Sequence, residues 1–219
     1  MKVVCVVPAF NTAGVLPKVI ENLRSRFNEI VLVNDGSRDK TGEVAESLDI
    51  TVLHHLVNRG QGAALKTGTE YALSLGAEII VHFDADGQFL VEDAVRLVEV
   101  IEKGEADMVF GSRFLDKTTK MPFLKRYLIM PLARAVNRLF GIRFTDPQSG
   151  FRVFNRSVAL QLSWQQDRMA HCSEILATAH TLPIRLKEIP ITVIYNEFGQ
   201  TFGGGLRIIR DLLLARLNR

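Results

Sequence analysis

Asp84 and Asp86 stand two residues apart at the end of the apolar run Ile79-Ile80-Val81-His82-Phe83, and Gly87 and Gln88 follow directly. In an extended chain, residues two apart project to the same side, so both carboxylates can face one ion. Hard oxygen donors of this kind suit Mg2+ or Mn2+, which keep part of their water and take phosphate oxygens as further ligands. A solvated Asp-Gly turn after a strand is the plain alternative for these residues taken alone. The rest of the chain tips the balance, because Asn11, Asp35, Arg59 and Arg113 also follow apolar runs.

The elements that position these groups read as alternating strands and helices. Val3 to Val7, Glu29 to Val33, Thr51 to Leu56, the run before Asp84, and Asp107 to Phe110 carry strand patterns. Helical patterns occupy Val15 to Phe27, about Thr41 to Leu48, Ala63 to Leu75 and Val91 to Lys103. This alternation predicts an α/β fold with a mainly parallel sheet, since parallel strands need crossover connections. Ligands of such sheets bind outside the carboxyl ends of the strands, where five polar loops then converge.

The second half changes character. Pro122 to Phe140 is expected to be helical and carries Lys125, Arg126, Arg134 and Arg138 among aliphatic residues. Helices near Ser157 to Ser163 and Ser173 to Leu182 precede a strand pattern from Leu186 to Tyr195, interrupted by Pro190. A final amphipathic helix, Leu206 to Leu217, brings Arg207, Arg210 and Arg216. Both cationic segments suit a membrane interface, or equally a helix docked on the sheet with its basic face in water.

At 219 residues, 47% hydrophobic and 23% charged, the chain suits one domain over residues 1–219 with a full core, and long disorder is excluded. Residues 1–112 hold 10 Lys and Arg against 17 Asp and Glu, while residues 113–219 hold 17 against 7. An acidic half and a basic half imply different partners, the basic one anionic. Its cations are interleaved with aliphatic rather than stacking aromatic residues, which favours a lipid surface over nucleic acid. Cys5 and Cys172 are too few for a disulfide framework and point to a reducing compartment. No signal peptide fits before the first strand at Val3, and no apolar run reaches bilayer length. The expected location is cytoplasmic, peripheral on the cytoplasmic face of a membrane.

Five motifs in order, Pro8-Ala9-Phe10-Asn11, Val33-Asn34-Asp35-Gly36-Ser37, Asp84-Ala85-Asp86-Gly87-Gln88, Gly111-Ser112-Arg113 and Asp146-Pro147-Gln148-Ser149-Gly150-Phe151-Arg152, resemble those of the family 2 glycosyltransferases. The nearest likeness is to the dolichol-phosphate mannosyltransferase and polyprenyl-phosphate glycosyltransferase branch, over nearly the whole chain. The resemblance implies a GT-A, Rossmann-like fold, with residues 1–112 binding a nucleoside diphosphate sugar and residues 113–219 the acceptor. It places Pro8, Ala9, Asn11, Asp35, Asp84, Ala85, Asp86 and Arg113 at the donor, with Asp35 accepting from base or ribose. Asp84, Asp86 and Gln88 would hold the metal, and Ser149 and Arg152 would face the acceptor. Asp86, Arg113, Asp146 and Arg152 are the implied catalytic residues, and the implied reaction is metal-dependent, inverting transfer to a polyprenyl (dolichyl-type) phosphate.

The chemistry agrees with those roles. Cleaving a sugar–diphosphate bond leaves negative charge that a cation at the carboxylates and a nearby Arg would stabilise. A guanidinium matches phosphate oxygens bidentately. A phosphate acceptor, with a second pKa of about 6, needs no strong base. Arg152 and Arg156 are candidates for holding it, though Arg156 also reads as a solvated helix-start residue. Asp146 reads as a base for a hydroxyl acceptor, such as a glycan or glycolipid, or as a turn carboxylate before Pro147. A non-catalytic nucleotide-sugar-binding scaffold is the remaining alternative. His54, His55 and His82 fit packed or hydrogen-bonded positions better than a metal site, Arg59 and Lys66 approach the donor or decorate a crossover, and Glu174 matches a position usually acidic in these relatives or, equally, is a solvated helix-start acid. Thr12, where relatives commonly have an acid, and Asn196, where the mannosyltransferases often have Arg, depart from the family pattern.

Overall fold

The computed structural model describes residues 1–115, 144–146 and 148–194. The expected helices at 122–140 and 206–217, and Asn196, lie outside these residues. Seven strands form one sheet: β1 (Val3–Ala9), β2 (Glu29–Asn34), β3 (Thr51–His54), β4 (Ile79–His82), β5 (Met108–Ser112), β6 (Arg152–Asn155) and β7 (Leu186–Pro190), in the spatial order β3-β2-β1-β4-β6-β5-β7. Neighbours are parallel except β6, which runs antiparallel to both β4 and β5. The mainly parallel sheet is as expected, whereas β6 goes beyond the expectation. It is only four residues long and opens with an arginine, so it shows little alternation of its own.

Side chains of the central strands alternate between two cores, as the period of two requires. Cys5, Val7, Ile30, Leu32, Ile79, Val81, Val109 and Val153 face one side. There they meet α1 (Leu16–Arg24), α2 (Thr41–Glu46) and α4 (Val91–Glu102). Val4, Val6, Val31, Ile80, Met108 and Phe154 face the other, against α3 (Gln61–Ser74), α5 (Arg156–Gln161) and α6 (His171–Thr181). Both faces being covered explains why these strands read as continuous apolar runs.

The helices follow from local chemistry. In α1, Leu16, Val19, Ile20 and Leu23 are buried at helical spacing, and a proline sits in the first turn, where a missing N–H costs nothing. Asn155 caps α5 by accepting from the Val158 N–H at 2.9 Å. A β-carbon on Gly68 of α3 would lie 2.3 Å from Val6 Cγ1, so only glycine lets this helix approach β1 so closely. The strand expected to reach Tyr195 ends at Pro190. Beyond it, Thr192 donates its N–H to the buried Asp93 at 2.7 Å and Ile194 to the Gln88 carbonyl at 2.9 Å, which carries the chain back to the Asp86 turn.

Candidate active site

Asp84 emerges just past β4, and one of its oxygens is held by a neighbouring side chain. Gln61 Nε2 donates to Oδ1 at 2.6 Å. On the other side, a β-carbon on Gly150 would lie 3.0 Å from Oδ2, so the bare Gly150 backbone leaves room for the carboxylate. Burial, then the charge of Asp86 and Cys172, pushes the Asp84 carboxyl up to about 7, against the opposing pull of Arg152 and His171. Asp86 is exposed and accepts from the Gln88 N–H at 3.0 Å, yet enough protein surrounds it for desolvation to raise its carboxyl as well. Carboxylates raised by burial and by a like charge are ones that a cation would relieve. Among the described residues no three His, Cys, Asp or Glu gather as a closed ligand set. The donors present, two carboxylates and the Gln88 side-chain amide, suit a hard ion that takes further oxygens from a ligand and water.

A charged cluster lies beneath Asp84. Arg152 sits opposite His82 across the antiparallel β4–β6 pair and is completely buried. Its Nε donates to the Gly150 carbonyl at 3.2 Å, and Nη2 donates to the Ser149 carbonyl at 3.2 Å and lies 3.3 Å from Cys172 Sγ. Nη1 is buried and has no hydrogen-bond partner among the described residues. Burial pushes the Cys172 thiol up, but His171 and Arg152 more than offset this and bring it down to about 6. His82 is held well below the usual imidazole range, first by burial. It shares a 2.9 Å hydrogen bond with Thr69 Oγ1 and packs edge-on to Phe154. Arg152 therefore supports the 149–150 backbone from behind. Ser149 is buried too, and its hydroxyl is 3.3 Å from the Phe151 N–H that donates to it.

Past β5, Arg113 and Asp146 form a bidentate pair, with Nε to Oδ2 at 2.5 Å and Nη2 to Oδ1 at 2.7 Å. The Asp146 side chain is fully buried and that of Arg113 is 14% exposed, so this is an interior ion pair. Glu188 of β7 holds it from below, accepting from the Thr145 and Asp146 N–H groups and from Thr145 Oγ1 at 3.1 Å. Burial raises the Glu188 carboxyl, and these three bonds pull it back.

On the donor side, Pro8 and Ala9 are buried at the end of β1, and the Ala9 carbonyl accepts the Asp35 N–H at 2.8 Å. Asn11 adopts a left-handed backbone, φ 53°, which asparagine tolerates. It stitches two loops together, donating its N–H to Ser37 Oγ at 3.0 Å and accepting from the Arg38 N–H at 2.8 Å. Asp35 was expected to bind base or ribose, but the chain itself engages both of its oxygens. They accept from His55 Nδ1 and the Gly60 N–H at 2.7 Å each, and from Asn58 Nδ2 and the Arg59 N–H at 2.9 Å each. Thr12 Oγ1 is buried without a partner among the described residues, while Asp39 accepts the Ala13 N–H at 3.3 Å and the Thr41 hydroxyl at 2.5 Å. Asp39 thus supplies an acid beside the position where Thr12 lacks one.

Arg156 stands apart from Asp84. It follows β6, whose last residue pairs with Ile79 at the start of β4, roughly 15 Å along the strand from Asp84. Its Nη1 caps α3 by donating to the Leu73 and Ala77 carbonyls at 3.1 and 3.2 Å. Arg59 and Lys66 are exposed. Glu174 binds the Gln165 and Gln166 N–H groups at 3.0 and 2.8 Å and fixes the loop against α3. The sequence gives no sign of Gln61 or Glu188 at the site. Gln61 lies two residues after Arg59, but nothing local marks its partner, and Glu188 reads as one more polar residue on a strand.

The crevice outside the carboxyl ends of the strands, with paired carboxylates at its centre, defines a GT-A type of domain. A solved structure of glucosyl-3-phosphoglycerate synthase from Mycobacterium tuberculosis, bound to Mn2+, uridine diphosphate and phosphoglyceric acid, superposes with a TM-score of 0.75 at 17% identity, over 97% of this chain and 77% of that one. The UDP-N-acetylglucosamine–dolichyl-phosphate N-acetylglucosaminyltransferase of Methanococcus voltae is 30% identical over 98% of this chain and 96% of its own. A dolichyl-phosphate beta-glucosyltransferase of Trichomonas vaginalis is 31% identical over 95% and 71%. Residues 4–162 match glycosyl transferase family 2, and the chain belongs to that family. It is a glycosyltransferase.

Proposed function

We propose that this enzyme is a metal-dependent, inverting glycosyltransferase that moves one sugar from a nucleoside diphosphate sugar to a polyprenyl (dolichyl-type) phosphate at the cytoplasmic face of a membrane. The observation that carries the reading is the raised Asp84–Asp86 carboxylate pair at the carboxyl edge of the sheet, in a chain akin to enzymes named for dolichyl phosphate.

Asp84, Asp86 and Gln88 would hold Mg2+ or Mn2+, which when bound neutralises charge on the diphosphate leaving group. Pro8, Ala9, Asn11 and Ala85 would contact the donor. Asp35 contributes through the 58–60 backbone it holds in place. Arg113, kept in one orientation by Asp146, would meet phosphate through its guanidinium. A lipid phosphate is ionised near neutral pH, with a second pKa of about 6, so no side chain must remove a proton. Asp146 is poorly placed as a base, because both of its oxygens are committed to Arg113 inside the protein. Residues 1–112 would serve the donor and residues 113–219 the acceptor, and the excess of Lys and Arg in the latter suits an anionic lipid surface. Among the described residues no helix is long and apolar enough to cross a membrane.

The test is transfer from a panel of UDP-, GDP- and dTDP-sugars to a short polyprenyl phosphate, with and without Mn2+ or Mg2+, read by product mass and anomeric configuration. The expected result is a metal-dependent glycosyl phospholipid of inverted configuration that disappears in Asp86→Asn. Transfer only to hydroxyl acceptors, or full activity with a metal chelator present, would overturn the reading.

A further inference from the structure

Gln61 opens α3, and its amide is the described side chain that donates to Asp84 Oδ1. The backbone on either side of it is fixed. Asn58, Arg59 and Gly60 all donate to the buried Asp35 carboxylate. The Gly62 N–H donates to the Asp167 carbonyl at 2.8 Å, and the Gly62 carbonyl accepts from Trp164 Nε1 at 2.9 Å. Gln61 is therefore a side chain on an anchored base, and the Asp84 carboxylate lies between its amide and the space that a side chain at position 150 would take.

An amide suits this task. It donates to a carboxylate without bringing a positive charge that would compete with a cation, which an ammonium or guanidinium group would do. With Oδ1 held by the amide, the Asp84 carboxyl plane is set by its neighbours and not by free rotation.

We propose that Gln61 is a positioning residue that fixes the Asp84 carboxylate in the orientation it needs to share a divalent cation with Asp86. The loop anchored by Asp35 and the metal-binding edge are thereby coupled through one side chain. The proposal rests on the metal role given above to Asp84 and Asp86.

The test is Mn2+ binding to the full chain without sugar nucleotide, followed by electron paramagnetic resonance, in the parent, Gln61→Leu, Gln61→Asn and Asp86→Asn. Asn keeps the amide but is one methylene too short to reach Asp84. Both Gln61 variants are expected to weaken Mn2+ binding roughly 10- to 100-fold, the range found for groups that orient metal ligands. Hydrogen exchange at the Arg59 and Gly60 amides should stay at the parent rate. Unchanged Mn2+ affinity in both Gln61 variants, with binding lost in Asp86→Asn, would overturn the role of Gln61 and leave the metal site standing. Weakened affinity accompanied by faster exchange at those two amides would show a structural residue instead. Unchanged binding in Asp86→Asn would overturn the metal reading and this proposal together.

Discussion

Glu188 of β7 accepts hydrogen bonds from the backbone of Thr145 and Asp146, residues more than forty positions earlier in the chain, at 2.9 to 3.0 Å. Through Asp146 it governs the orientation of Arg113, which it does not itself touch through any described bond. Removing Glu188 takes away the acceptor of two N–H groups and one partner of the Thr145 hydroxyl, which also bonds Ser112 Oγ at 2.6 Å. Glu188→Ala should therefore cost about 2 to 4 kcal/mol in denaturant unfolding. It should also lower kcat/KM at least as much as a conservative change at Arg113.

The Arg113–Asp146 pair separates orientation from base catalysis. Breaking a buried pair by deleting one partner typically costs about 3 to 5 kcal/mol, so Asp146→Ala should be markedly unstable. Asp146→Asn keeps the shape and should lose activity while retaining the pH dependence of the parent. Loss of the acidic limb of the pH–rate profile in that variant would instead mark Asp146 as a general base.

Asp84 makes stability depend on pH. Its folded pKa of about 7 lies above the unfolded value near 3.8, so the folded state binds the extra proton and stability falls as pH rises from about 4 to 7. Compared with the parent, Asp84→Asn should gain stability through that window, by an amount on the order of a few kcal/mol at pH 8. Thermal melts at pH 5 and pH 8 check this. Added Mn2+ should raise the parent's Tm more at pH 8 than at pH 5, and should do little for Asp84→Asn.

Cys172 carries the opposite sign. Its thiol is lowered to about 6, so its pairing with His171 and Arg152 stabilises the fold above the unfolded value near 9, and that contribution is lost as pH falls through 6. Cys172→Ser should accordingly lose more stability relative to the parent at pH 8 than at pH 5, measured by urea unfolding.

Arg156 is expected to matter for stability alone. Arg156→Ala removes the cap on the Leu73 and Ala77 carbonyls, costs about 1 kcal/mol, and leaves the acceptor KM within about twofold. A large rise in that KM would return Arg156 to the acceptor site.

The sequence by itself determined the sheet and its active edge. Apolar runs buried on both faces cannot alternate with polar residues, so β1, β2 and β4 stood out as strands, and the polar groups that end them, Asn11, Asp35, Asp84 and Asp86, fell on one edge because parallel strands all finish there. Tertiary structure alone decided which of the later residues share that edge. The strand β6 runs antiparallel between β4 and β5, so its first residue, Arg152, lies under Asp84 while the residue just after it, Arg156, is carried to the opposite end. Strand direction is not encoded in four residues. Nor could sequence order reveal that Gln61 meets Asp84 or that Glu188 meets Asp146, since each pair comes together only when separate crossovers pack against one sheet. Asp35 shows both limits at once: its place was legible from the end of β2, but that its carboxylate is spent on the chain's own N–H groups depends on how the next loop folds back over it.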